Sequence, residues 1–118
     1  EDVTNELLLG AKKLLKKKNI KRVDIINVPG AFEIPVVISK NIKKYDAFIA
    51  IGCIIKGETA NFDLICNAIT NGIMQISIAQ KKPIGNAIIT CFNKAQALNR
   101  LDKGKEAAAA ILEILRIE

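Results

Sequence analysis

Residues 46 to 55 read Asp-Ala-Phe-Ile-Ala-Ile-Gly-Cys-Ile-Ile, a run too apolar for an exposed edge and too short to cross a membrane. Such a segment satisfies its backbone inside a sheet covered on both faces, which predicts a central parallel strand. It flows directly into Lys56-Gly57-Glu58-Thr59-Ala60-Asn61 and then into a helical pattern. The free N–H groups of a helix's first turn and the positive end of its dipole face such a loop, Gly57 keeps a Cβ out of the way, and Thr59 offers a hydroxyl. An anion site is predicted there, with phosphate as its natural guest. Asn61 is the residue best placed to assist chemistry, yet an amide exchanges no proton at neutral pH, and the chain contains no histidine.

At 118 residues the chain suits one core rather than two, so a single domain is expected. Half the residues are apolar but only 4% are aromatic, which leaves Ile, Leu, Val and Ala to fill an α/β interior. The net charge is +6, and apart from the run Lys12, Lys13, Lys16, Lys17 and Lys18 the lysines are scattered along the sequence. With no Trp, one Tyr and no aromatic residues interleaved among the bases, no nucleic-acid partner is expected, and the charge is read as attracting small phosphorylated anions. Cys53, Cys66 and Cys91 are odd in number, follow no C-x-x-C spacing and have no histidine to complete a metal set. They are read as buried free thiols of a reducing cytoplasm, with no metal and no membrane partner.

Along the chain, Val3, Leu7, Leu8, Ala11, Leu14 and Leu15 recur at helical steps, predicting an amphipathic helix over residues 3 to 18 with Asp2 or Thr4 as its N-cap. Arg22 to Val28 reads as a strand stopped by Pro29-Gly30, and Glu33 to Lys44 as a helix with Pro35 in its first turn. A long helix from Asp63 to Ala79 follows the anion loop, with Asn61 as a candidate N-cap. Pro83 to Cys91 is a further strand, Asn93-Lys94-Ala95-Gln96 is a capping-box pattern opening a short helix, and Lys105 to Ile117 is a final helix. This alternation implies right-handed parallel crossovers and ligands at the carboxyl ends of the strands, where Pro29 to Glu33, Lys56 to Phe62 and Thr90 to Asn93 fall.

Taken in series, Val28-Pro29-Gly30-Ala31-Phe32-Glu33-Ile34-Pro35, then Gly52 to Asp63, then Gln96-Ala97-Leu98-Asn99-Arg100 and Lys103-Gly104-Lys105-Glu106-Ala107-Ala108 resemble 6,7-dimethyl-8-ribityllumazine synthase in order and interval. The resemblance spans nearly the whole chain. It implies a three-layer, flavodoxin-like α/β domain with a four-stranded parallel sheet, and a cytoplasmic enzyme of riboflavin biosynthesis. The implied reaction condenses 5-amino-6-(D-ribitylamino)uracil with 3,4-dihydroxy-2-butanone 4-phosphate, losing phosphate and water, without metal or organic cofactor. By resemblance, Ala31, Phe32 and Glu33 hold the ribityl chain, Ile54 and Ile55 meet the pyrimidine through their backbones, and Gly57, Glu58 and Thr59 cradle the phosphate. From a neighbouring subunit Arg100 pairs the phosphate and Lys103 adds a charge, with Glu106 orienting that lysine. The resemblance thus implies a pentamer or a multiple of one, with sites at subunit interfaces, and riboflavin synthase as a further partner.

Three departures stand out. The family carries its proton-transferring histidine where this chain has Asn61. The family's opening strand, with a Phe-Asn pair that contacts the heterocycle, has no counterpart in this chain, and its place is expected to be filled by upstream sequence, since removing an inner strand leaves two neighbours unpaired. Asn86 stands where many members carry an aromatic reaching the adjacent site, and the segment before Lys103 is short. These departures support an alternative, a catalytically weak relative that binds a flavin or ribityl-pyrimidine or serves as an assembly subunit. Simpler roles also exist: Phe32 as core, Glu33 as a first-turn acid, Arg100 as a solvated charge, and Asn61 as an N-cap.

Overall fold

The structure, a computed structural model, describes residues 2–58 and 61–117. Two strands, β1 (Phe48–Ile55) and β2 (Ile84–Cys91), pair in parallel from Phe48 opposite Ile84 to Ile55 opposite Cys91. Both are built from β-branched residues, and both faces are covered, as parallel sheets require. On one face Ala50, Ile54 and Ile88 pack against Ile34, Ile38 and Ile42 of α2 (Ile34–Lys40) and its exit, and against Ile69 and Ile73 of α3 (Phe62–Gln80). On the other, Ile89 and Cys91 meet Val3 and Leu7 of α1 (Asp2–Lys17) and Ala97 of α4 (Lys94–Leu98), while Ala11 and Leu15 meet Ala108 of α5 (Lys103–Arg116). Helix, sheet, helix is the three-layer α/β architecture anticipated from the alternation of patterns.

The helices follow their sequence signals, except that α2 ends at Lys40, short of the expected Lys44, and residues 41–44 form a turn. α1 buries Val3, Leu7, Ala11 and Leu15 and leaves Lys12, Lys13, Lys16, Lys17 and Lys18 exposed, as its period demands. It starts at Asp2, so Thr4 lies inside the first turn and not ahead of it. α1 closes with Asn19 in the left-handed region (φ 64°) and the Ile20 N–H donating to the Leu15 carbonyl, a Schellman-type ending that Asn tolerates. Pro35 occupies the first turn of α2, where its missing N–H costs nothing. At α4 the Asn93 side chain accepts from the Gln96 N–H at 2.9 Å, and the Gln96 side chain accepts from the Phe92 N–H at 2.7 Å. The capping pattern read from Asn93 to Gln96 is formed.

Two glycines set the closest approaches. A Cβ on Gly104 would strike the Leu7 backbone, and one on Gly85 would lie 2.7 Å from the Ala107 carbonyl oxygen. α5 therefore lies directly on α1 and on β2.

The segment from Arg22 to Val28 departs from expectation. It runs alongside β1 in the same direction, from Asp24 bonded to Tyr45 just before β1 to Ala31 packed against Gly52 within it. Yet no backbone hydrogen bond joins it to β1 among the described residues, and it is not a strand. Val23, Ile25 and Ile26 are correspondingly exposed. β1 is therefore paired on one edge only and is not central: a β-branched run specifies an extended backbone, but a strand exists only where a partner completes the ladder.

Candidate functional site

The carboxyl ends of β1 and β2 carry the site. β1 delivers Ile54 and Ile55 and passes without a break into a 3₁₀ turn, Lys56–Glu58, and two residues later Asn61 precedes α3. Thr59 and the side chain of Glu58 lie outside the described residues. The strand, turn and helix start thus occur in the order the anion reading requires, with the first N–H groups of α3 lacking partners within the helix. Gly57 lies under the end of β2, its Cβ position 3.8 Å from the Phe92 carbonyl oxygen. Asp63 places an acid in the first turn, which the dipole favours but which competes with a bound anion.

Asn61 holds the N-cap position of α3, yet its side chain makes no capping bond; only its carbonyl accepts, from the Ile65 N–H at 2.9 Å. The expected side-chain cap is not made, and the exposed amide has no hydrogen-bond partner among the described residues.

A second 3₁₀ turn, Ala31–Glu33, stands beside β1, with the Ala31 Cβ 3.5 Å from where a Cβ on Gly52 would sit. The Glu33 carboxylate folds back over Gly30, 3.1 Å from that residue's Cβ position. Phe32 is 59% exposed, so its reading as core is wrong: the turn aims the ring outward. Phe32, Glu33, Pro35 and Val36 face Ala68 and Ile69 of α3 across an open cavity of about 360 Å³. Ala31, Phe32, Glu33, Ile54, Ile55, Gly57 and Asn61 are thus brought to one end of the sheet.

Arg100, Lys103 and Asn86 lie elsewhere. The Asn86 side chain accepts from the Ile88 N–H at 2.9 Å, and Arg100 donates through Nη1 to the Thr90 carbonyl at 2.9 Å. Residues two apart share a strand edge, so these side chains bond one N–H and one carbonyl on the outer edge of β2, the one facing away from β1. Lys103 opens α5, exposed, and no ion pair joins it to Glu106 among the described residues.

Lys56 escaped the sequence reading. Its ammonium lies 5.3 Å from the centroid of the Phe92 ring, a cation held across the ends of the two strands next to the loop glycine. A lysine immediately ahead of the anion-loop glycine was the available signal. Of the thiols, Cys91 is buried; Cys53 on β1 and Cys66 on α3 are half-buried and pack against the two core clusters. Burial, reinforced by Asp63, pushes the Cys66 thiol above its ordinary range. No group of His, Cys, Asp or Glu side chains among the described residues could hold a metal. No helix among the described residues is long and apolar enough to cross a membrane.

A helix-covered parallel sheet with a loop and a helix start at its carboxyl end is the α/β arrangement in which small-molecule ligands, phosphates among them, are commonly held. The comparison with known sequences makes this specific. The chain belongs to the 6,7-dimethyl-8-ribityllumazine synthase family, whose sequence model matches residues 1–118. It is 38% identical over 117 residues to the 6,7-dimethyl-8-ribityllumazine synthase of Mycobacterium leprae (strain Br4923), covering 93% of this chain and 73% of that protein. Enzymes of the same name from Thermococcus kodakarensis and Lactiplantibacillus plantarum are also 38% identical, over 98% of this chain and 78% and 79% of theirs.

Proposed function

We propose that this chain catalyses the condensation of 5-amino-6-(D-ribitylamino)uracil with 3,4-dihydroxy-2-butanone 4-phosphate to 6,7-dimethyl-8-ribityllumazine in riboflavin biosynthesis. The observation that carries this reading is the coincidence of the family match with an anion-receptive loop beside the Ala31–Glu33 turn at one sheet end. Membership of a family of named enzymes favours catalysis over the flavin-binding or assembly-subunit alternative.

In this reading the phosphate sits at the start of α3, taken by Gly57, Glu58 and Thr59, and Lys56 beside it adds a fixed positive charge. Ala31, Phe32 and Glu33 hold the ribityl chain, and Ile54 and Ile55 present backbone groups to the pyrimidine. Arg100 and Lys103 reach the phosphate of an adjacent subunit, for which Arg100 must leave the Thr90 carbonyl, and Asn86 contributes near that same interface. The assembly is a homo-oligomer, a pentamer or a multiple of one, working in the cytoplasm.

Catalysis then rests on holding amine and ketone together and stabilising the departing phosphate, because Asn61 orients groups without carrying a proton. The decisive experiment mixes purified protein with both substrates and follows lumazine absorbance. Formation faster than in buffer alone supports the proposal, and a rate equal to the buffer blank ends it.

A further inference from the structure

The lysines that look scattered in the sequence are gathered by the fold at one pole. α1 and α5 lie side by side and parallel, Gly104 against Leu7 and Ala108 among Ala11 and Leu15. α5 then passes Gly85 at the amino end of β2, where Ala107 and Ile111 touch it. α2 and α3 each end just ahead of a strand start, and those starts are neighbours, Phe48 opposite Ile84. All four helices therefore end at the amino ends of the strands, the pole opposite the Gly57 loop.

That pole is strongly basic. α1 ends in Lys16 and Lys17, with Lys18 and Lys21 following; α2 ends in Lys40, with Lys43 and Lys44 following; Lys81 and Lys82 follow α3. Side chains tie these ends together: the Arg22 guanidinium lies 5.3 Å from the Tyr45 ring centroid, and the Lys82 ammonium donates to the Ile42 carbonyl at 2.6 Å. Of the acids present, Asp24 is engaged by Arg22 and Tyr45, and Glu113 by Arg116. Against nine lysines, of which Lys82 is bonded to the Ile42 carbonyl, the remaining acid of this pole among the described residues is Asp46. The pole holds more positive charge than the chain's net +6 and lies at the end of the sheet away from the Gly57 loop. Complementing helix dipoles accounts for about one cation per helix end and leaves most of these lysines without a local partner.

We propose that this pole binds the phosphate backbone of nucleic acid without reading its sequence. Lysine is depleted at protein interfaces, and the guanidinium and ring that such an interface would use, Arg22 and Tyr45, are already packed on each other. Insertion into a lipid surface needs a free apolar helix face, whereas α1, the most lysine-rich element, buries its apolar face in the core. Compact ammonium heads spread over four chain ends, with no aromatic platform free for stacking, suit counterion release along a polyphosphate chain.

The test measures anisotropy of a labelled, mixed-sequence single-stranded RNA against the full-length protein over a series of salt concentrations. Wild type should bind with affinity that falls steeply with salt. K43E/K44E/K81E should bind at least tenfold more weakly, and its neutral counterpart K43Q/K44Q/K81Q should lose about two units of the log–log salt slope. A control reversal at the other pole, K94E/K105E, should stay within about twofold of wild type, and inorganic polyphosphate should displace the RNA. Equal losses in pole and control variants, failure of polyphosphate to compete, or tighter binding to phosphatidylserine vesicles than to RNA would each overturn the proposal. Lumazine formation by the pole variants verifies that they fold, since none of these lysines touches the site.

Discussion

Asn61 is the residue at which the proposed chemistry is most directly tested. Its side chain holds nothing in place, so its replacement costs no cap. Asn61→His should restore a proton carrier at the head of α3 and raise kcat by about 10²–10⁴, the range general acid–base help typically supplies. It should also change the pH profile. With no histidine in the chain, wild-type kcat should be nearly flat across neutrality, and the variant should gain an inflection near pH 6.5, about where imidazole titrates. Steady-state kinetics between pH 5.5 and 8 check both, and an unchanged rate with an unchanged profile would remove Asn61 from the chemistry. Residue identity at this site was legible because the flanking Gly57-Glu58-Thr59 and Phe62-Asp63 fix the register of the loop. The orientation of Phe32 was not legible: an aromatic between alanine and glutamate suits either core or surface until the turn that carries it is known.

At the scale of elements, the helices were readable because their apolar period is set by one backbone geometry. The capping pair Asn93 and Gln96 was readable because it is local, closing within four residues. The Arg22 to Val28 segment was not, since pairing is a property of two segments and its sequence describes only one. What holds this segment is the clasp at its start, where Asp24 accepts from Tyr45 and Arg22. These two bonds, Tyr45 first, hold the Asp24 carboxyl below the usual carboxylate range, and the bond to Asp24, with burial and the carboxylate charge, lifts the Tyr45 hydroxyl above its own against the opposing pull of Arg22. A lowered folded-state pKa stabilises the folded chain above the unfolded-state value, and the effect fades as pH falls through the folded one. Asp24→Asn should therefore lower Tm at pH 5 to 7, with the gap to wild type closing once pH drops below about 4, where free aspartate titrates. A gap that stays constant down to pH 2 would show that the carboxylate charge is irrelevant to the clasp. The contact between α1 and α5 makes a complementary prediction. At Gly104 even a methyl group meets the Leu7 backbone, which no rotamer change relieves, so Gly104→Ala should cost about 1–3 kcal/mol in urea unfolding. A variant as stable as wild type would mean the helices separate freely.

For the whole molecule, the sheet divides the candidate site. Ala31 to Glu33 lie over β1 on the α2 and α3 face, whereas Arg100 and Asn86 line the outer edge of β2. Arg100 is thus at the far margin of its own sheet, a natural place from which to serve a neighbour's loop once it releases Thr90. The chain's exposed apolar residues agree: Phe32, Val36, Leu64 and Met74 lie on α2, α3 and the adjoining turn, surface that an assembly would cover. A site shared between subunits makes a quantitative prediction. Arg100→Ala alone should weaken binding of the phosphate-bearing substrate by about 1.5–3 kcal/mol, the range for a charge-assisted hydrogen bond, and Glu33→Ala should be similarly impaired through the ribityl chain. Refolded together in equal amounts, the two variants should regain about one quarter of wild-type activity: in a closed ring, each site needs an intact Glu33 from one subunit and an intact Arg100 from the next. If each site were built within one chain, no mixture would exceed the average of its parents. Activity measured against mixing ratio distinguishes the cases, because a shared site gives a curve that peaks at equal proportions and a private site gives a straight line.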